Sequence, residues 1–209
     1  NYPVPPLSSL PIFAILGVAA GLMGVLFNKS TLKTLNLTAK IPTRYKLPFA
    51  ALVGAIVGLI GWFSPVLIGS GHNLAETVLQ GKLILGLIPL YFLIRFALTN
   101  LCYSTGAPGG IFAPLLVLGS LLGLAIGQIA NHFYPELVPI PAVFAVVGMA
   151  AYFTAIVRAP LTGIMLIVEM TGNYSQMLPL LVSCFCAYIV AEVLKDMPIY
   201  EALLERDLQ

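Results

Sequence analysis

The sequence predicts an all-α, polytopic membrane protein built from about nine spanning, tilted and partial helices. Three observations carry that expectation: composition, the spacing of charges, and the glycine and proline punctuation. Of 209 residues, 59% are hydrophobic and only 9% are Asp, Glu, Lys or Arg, with a mean hydropathy of +1.00; a soluble domain carries roughly a quarter charged residues. A formal net charge of +2, spread thinly, excludes a nucleic-acid surface, so no nucleic-acid partner is expected. A disordered tail, a coiled coil and a secreted disulfide scaffold are excluded on the same composition. Cys102, Cys184 and Cys186 lie in apolar runs without CxxC spacing and read as small buried hydrophobes. No metal and no cofactor is implied.

Uncharged windows occupy 1–28, 47–75, 96–135, 137–157 and 170–191, against about 20 residues for one helical crossing. The window from 96 to 135 would make a helix roughly 60 Å long, about twice the hydrocarbon thickness, so it must break. The break is written at Gly106-Ala107-Pro108-Gly109-Gly110, with Pro114 just beyond. Length and punctuation place helices at 10–28, 47–63, 72–80, 84–104, 110–131, 141–155, 159–171, 174–193 and 198–208. Several are too short to span, and short helices in lipid usually line a site, because amides freed at a break find no partner in hydrocarbon.

Five cations and no acid between Lys29 and Lys46 mark a cytoplasmic loop by the positive-inside tendency. Five acids and two bases from Glu192 to Asp207 mark a wet exit from the bilayer. Gly17 and Gly21, Gly54 and Gly58, and Gly119, Gly123 and Gly127 recur every four residues and read as helix-packing surfaces. A chain that opens Asn-Tyr-Pro, with no initiator Met and no charged flank before its first apolar segment, is expected to have no signal peptide in these residues and reads as cut from something longer.

The central motif follows the break. A helix starting after Gly109-Gly110 presents the amides of Gly110, Ile111 and Phe112 at its positive N-terminal end, where an anion can be held. Pro114 suits a first turn, where its missing amide costs nothing. Between Arg95 and Arg158 there is no Lys or Arg, so an anion there is held by partial charges and can leave again, as conduction requires. The competing reading is a break that only turns the chain. Gly110→Pro is expected to damage the site more than Gly119→Ala, which on sequence alone adds a methyl to a packing surface.

Residues 104–114, Ser-Thr-Gly-Ala-Pro-Gly-Gly-Ile-Phe-Ala-Pro, resemble the GxFxP-type signature of the CLC family of chloride channels and proton-coupled chloride antiporters. The resemblance continues through Gly148-Met-Ala-Ala-Tyr, Val157-Arg-Ala-Pro-Leu-Thr-Gly-Ile, Val168-Glu-Met-Thr-Gly-Asn-Tyr and Met197-Pro-Ile-Tyr, in the order of that family's carboxyl-terminal half, with a weaker match at Gly69-Ser-Gly-His-Asn-Leu. It implies that residues 1–209 are one transmembrane fragment, the second of two inverted repeats whose helix N-termini meet around chloride at the membrane midplane. It also implies an upstream half of the same protein and a homodimer. Chloride is then the transported ligand, bound by the amides of Ile111 and Phe112, with Gly110 beside them, and by the Tyr200 hydroxyl. Tyr200 beside Pro198 reads otherwise as an interfacial aromatic. The family's gating glutamate and chloride-touching serine have no match, and the serine's role is not carried to Ser70.

Arg158 and Glu169, eleven positions apart, share a helical phase to about 20° without touching and read as structural pairing or capping. Arg95 reads as a helix-end snorkeller or structural partner, Glu76 as a wet residue, and His72 and His132 as interfacial residues near helix ends. Two alternatives are a broken-helix transporter of nitrate or fluoride, and an intramembrane hydrolase using Ser104 or Ser120 with His132.

Overall fold

The computed structural model describes residues 6–81, 83–106 and 109–208. Among them it has nine α-helices and no strand: α1 Leu10–Ala39, α2 Thr43–Phe63, α3 His72–Leu79, α4 Ile88–Ser104, α5 Phe112–Phe133, α6 Ala142–Val157, α7 Pro160–Thr171, α8 Met177–Val193 and α9 Ile199–Leu208. Five helical segments are long and apolar enough to cross a membrane, whereas α6 and α7 are apolar but short.

α6 is the core. Residues Ala142 to Ile156 are all buried, as expected of a helix apolar on every side, which finds no solvent-facing stripe to expose. It is surrounded by α1, α5, α7 and α8. Small residues let these backbones close on it. A Cβ built at Gly119 would lie 2.5 Å from the Gly148 carbonyl oxygen and 2.9 Å from the Met149 Cα, one at Gly127 would lie 2.6 Å from the Pro141 oxygen, and one at Gly123 would collide with the Phe144 carbonyl. Gly17 and Gly21 do the same for α1 against α8, facing Ser183 and Val190. The expected packing role holds at all five positions. It fails at Gly54 and Gly58, which have nothing within 4 Å, because α2 touches chiefly the turn that follows it, Pro65–Leu67, and a little of α4, and leaves most of its surface open. The mild cost expected of Gly119→Ala is also overturned: its methyl would meet backbone, which cannot swing away as a side-chain end can.

The first helix corrects another expectation. α1 runs about ten residues past 28, and Lys29 and Lys33 stand on it, while Arg44 and Lys46 belong to α2; the turn is confined to residues 40–42. Thr31, Thr34 and Thr38 each donate back to the carbonyl four residues earlier, at 2.9, 2.8 and 3.1 Å, which ties their hydroxyls into the helix and lets a polar stretch continue it. α2 begins at Thr43 rather than 47, putting Pro48 inside the helix. α4 and α8 start a few residues late because each is preceded by a 3-10 turn, Leu85–Leu87 and Tyr174–Gln176. At the second turn the Asn173 side chain accepts from the Ser175 amide at 3.0 Å.

All three cysteines are free. Cys184 is buried and Cys186 half-buried, but Cys102 is exposed, because it faces a cavity between α2 and α4.

Candidate anion site

α4 ends at Ser104, and Gly106, with φ of 74°, turns the chain out of it. Ala107 and Pro108, two of the five residues of the sequence-defined break, lie outside the described residues. α5 begins at Phe112 with Ile111 as its N-cap, two residues later than expected, and Pro114 falls in the first turn. No side chain caps this end and no acid lies in its first turn. The amides of Gly110, Ile111 and Phe112 make no hydrogen bond among the described residues, while the Ile111 carbonyl accepts from Leu115 at 3.2 Å. An uncapped helix start of this kind keeps its partial positive charge available to a ligand.

Ile111 is buried and Gly110 exposed. A Cβ at Gly110 would meet nothing within 4 Å. Gly110 and Ile111 line a cavity of about 430 Å³ whose opposite walls are Val53 and Gly54 of α2 and Thr99 and Cys102 of α4. The Phe112 ring points the other way and meets Phe153 of α6 edge-on, 5.6 Å between centroids.

Tyr200 sits in the first turn of α9, half exposed. Its neighbour Ile199 is fully buried, and Ala202, at 7% exposure, follows on the same side. The side chain of Asn28, from α1, connects this start to α6: its amide nitrogen lies 3.4 Å from the Ile156 carbonyl and 3.2 Å from the Met197 carbonyl. Ile156 is one helical turn beyond Phe153, so the C-terminal end of α6 seats both Phe112 and the segment leading into Tyr200.

Arg158 stands at that end. It takes a left-handed conformation, φ 63°, where α6 stops, its amide donating to Thr154 at 2.8 Å. Its guanidinium donates to the Asp196 carbonyl at 2.8 Å, lies 3.6 Å from Asp196 Oδ2, and reaches Glu192 Oε1 at 3.3 Å. Asn28 donates to Asp196 Oδ2 at 2.8 Å. Burial pushes the Asp196 carboxyl above its ordinary value, against the opposing pull of the Asn28 hydrogen bond, Arg158 and Lys29. Arg158 and Glu169 therefore do not share a helix face: a break separates them, and Glu169 is exposed while Arg158 pairs with residues of the α8–α9 connection. Asp196 likewise departs from the wet exit expected for 192–207.

Arg95 corrects the snorkelling alternative. It lies inside α4, 4% exposed, and its Nη1 donates to the carbonyls of Leu67 and Gly69 at 3.0 Å each. It holds the turn before α3, whose Gly71, at φ 82°, is also the one residue type that fits against its Nη2. Glu76, His72 and His132 are exposed as expected. Sequence reasoning missed Asn28 and Asp196, since an Asn at the end of a neutral window and an Asp in a charged tail give no local sign of pairing. The hydrolase constellation does not assemble. Ser120 is sealed and donates to Val117 at 2.8 Å, and Ser104 donates to Leu101 at 2.7 Å; His132 stands about 18 Å along α5 from Ser120, edge-on to Phe133.

A bundle of spanning and half-length helices, with an uncapped helix start facing a cavity, defines a polytopic, all-helical membrane protein. The chain belongs to the voltage gated chloride channel family, whose family model matches residues 2–192, and it is a multi-pass integral membrane protein. It is 43% identical over 213 residues to the H(+)/Cl(-) exchange transporter ClcA of Vibrio cholerae serotype O1 (strain M66-2), covering 100% of this chain and 45% of that protein. The corresponding protein of Klebsiella pneumoniae subsp. pneumoniae is 39% identical, over 97% of this chain and 44% of its own length. The crystal structure of a slow cyanobacterial Cl-/H+ antiporter matches with a TM-score of 0.93 at 42% identity, over 97% of this chain and 48% of that one. A eukaryotic CLC transporter shares the fold, with a TM-score of 0.79 at 24% identity over 95% of this chain and 35% of that one. The chain thus spans a little under half the length of these curated relatives.

Proposed function

We propose that this chain is the second inverted repeat of a chloride transporter and supplies one side of its anion path: the amides of Gly110, Ile111 and Phe112 and the hydroxyl of Tyr200. The observation that carries the reading is the start of α5, where consecutive amides have no hydrogen-bond partner among the described residues and no side chain caps the end or acid lies in its first turn. Neutral donors bind weakly enough to release, which conduction and exchange both need. Tyr200 adds a hydroxyl that accepts or donates without a charge of its own. An upstream half of comparable length completes the ion's shell, chloride is the cargo, and no cofactor is required.

In the complete protein, Tyr200→Phe should weaken chloride binding about two- to tenfold, the loss of one neutral hydrogen bond worth roughly 0.5–1.5 kcal/mol. Calorimetric chloride titration measures it, and unchanged affinity removes Tyr200 from the site.

The same reading makes the protein a homodimer with a separate path in each subunit. Along α7 and α8, Leu161, Met165, Leu178, Phe185 and Ile189 are exposed, an apolar face that a second copy would cover better than lipid through shape and van der Waals packing. Leu181, on the same helix, packs against the core instead. Cysteines placed at Phe185 or Ile189 should crosslink between subunits in bilayers, and a monomer that resists crosslinking at both would contradict the dimer.

A further inference from the structure

The start of α9 is held by side chains that come from elsewhere in the chain. α8 closes with the Lys195 amide donating to Glu192 at 2.9 Å and the Asp196 amide to Ala191 at 3.3 Å, a Schellman-type ending with Lys195 in the left-handed position, φ 49°. Met197 and Pro198 then lead into α9. Asn28 takes the Asp196 carboxylate and the Met197 carbonyl, and Arg158 takes the Asp196 carbonyl, so two successive residues ahead of Pro198 are gripped from α1 and from the end of α6. Arg158 and Lys195 are also the two non-glycine residues with positive φ among the described residues. One lies in the α6–α7 break and the other in the α8–α9 connection that it contacts, and unfavourable backbone persists only where the surrounding contacts over-determine it.

We propose that Asn28, Arg158 and Asp196 are positioning residues that set where the Tyr200 hydroxyl stands relative to the helix start at Ile111 and Phe112; this rests on the reading of Tyr200 as a chloride ligand. The Asn28 amide nitrogen, bonded to Asp196, lies 3.2 Å from the Met197 carbonyl ahead of α9 and 3.4 Å from the Ile156 carbonyl of α6, and α6 in turn seats Phe112 through Phe153. The separation between the two sets of anion donors is therefore spanned by one side chain and one helix end. Neutral donors make this separation matter, since hydrogen bonds weaken steeply once distance and angle drift from their optimum. Arg158, pulled by the Asp196 carbonyl and by two carboxylates, fixes the connection against sliding along α8. None of the three needs to touch the ion.

The test uses the complete protein, reconstituted, with chloride affinity measured by calorimetry for Arg158→Met, Asn28→Leu, Tyr200→Phe and the doubles that combine each clamp variant with Tyr200→Phe. Each clamp variant should weaken binding by a factor no larger than Tyr200→Phe produces, about two- to tenfold, and should weaken it no further when Tyr200 is already Phe. That non-additivity is the signature of action through one group. If Tyr200→Phe weakens binding but the clamp variants leave it unchanged, or multiply its effect in the doubles, the clamp is structural only and the inference falls alone. If Tyr200→Phe itself has no effect, the ligand reading falls and the inference with it. Two clamp variants at different helices keep the comparison open should one of them fail to fold.

Discussion

Gly123→Ala should leave little folded protein. The added methyl would collide with the Phe144 carbonyl and come within 2.9 Å of the Ala145 Cα. Both are backbone of α6, which is itself enclosed by α1, α7 and α8, so the helix cannot retreat. We expect a destabilisation of roughly 3 kcal/mol or more, at or beyond the upper end of ordinary overpacking, read as loss of monodisperse protein in mild detergent or a clear fall in unfolding temperature. Gly119→Ala should behave similarly. Gly110→Ala is the contrasting variant, since its Cβ would enter open space; it should fold normally. Gly110→Pro should also fold and yet lose flux, because it deletes an amide that the proposed site assigns to the ion. Normal folding of Gly123→Ala would show that α5 and α6 do not close as described.

Residues 1–209 reconstituted alone should carry no selective chloride flux. On the proposed reading, the amides at 110–112 and the Tyr200 hydroxyl would supply one side of an ion's shell, and Gly110 and Tyr200 both lie open. A chloride stripped of water on its far side would lose several kcal/mol that a few neutral donors do not offset. The surface of α2 tells the same story. Only 6% of its apolar window is buried within the chain, and Gly54 and Gly58, spaced for helix contact, meet nothing. Adding the upstream half of the protein should restore flux in liposome uptake of isotopic chloride. Selective flux from residues 1–209 by themselves would refute the half-site reading.

The helices were largely legible in the sequence. Length and Gly/Pro punctuation placed a helix at each of the nine, most of them in uncharged windows, because membrane helices satisfy their own backbone locally and that constraint is written in local composition. The sequence also located the helix start at 110–114, since a break, a proline in the first turn and the absence of nearby cations are all short-range signals. The length of α1 was not legible, because its threonines satisfy their hydroxyls within the helix and so make a charged, polar stretch look like a loop. Nor were the partners of charges. Arg158 meets Asp196 across 38 positions and Asn28 meets it across 168, and no periodicity links residues that only folding brings together. Tertiary structure alone decided that Arg95 braces a turn, that Gly119 abuts backbone while Gly54 does not, and that the end of α6 gathers Phe112 and the approach to Tyr200. Each of those depends on which helix faces lie against one another, and a pattern confined to one helix does not encode the face of the next.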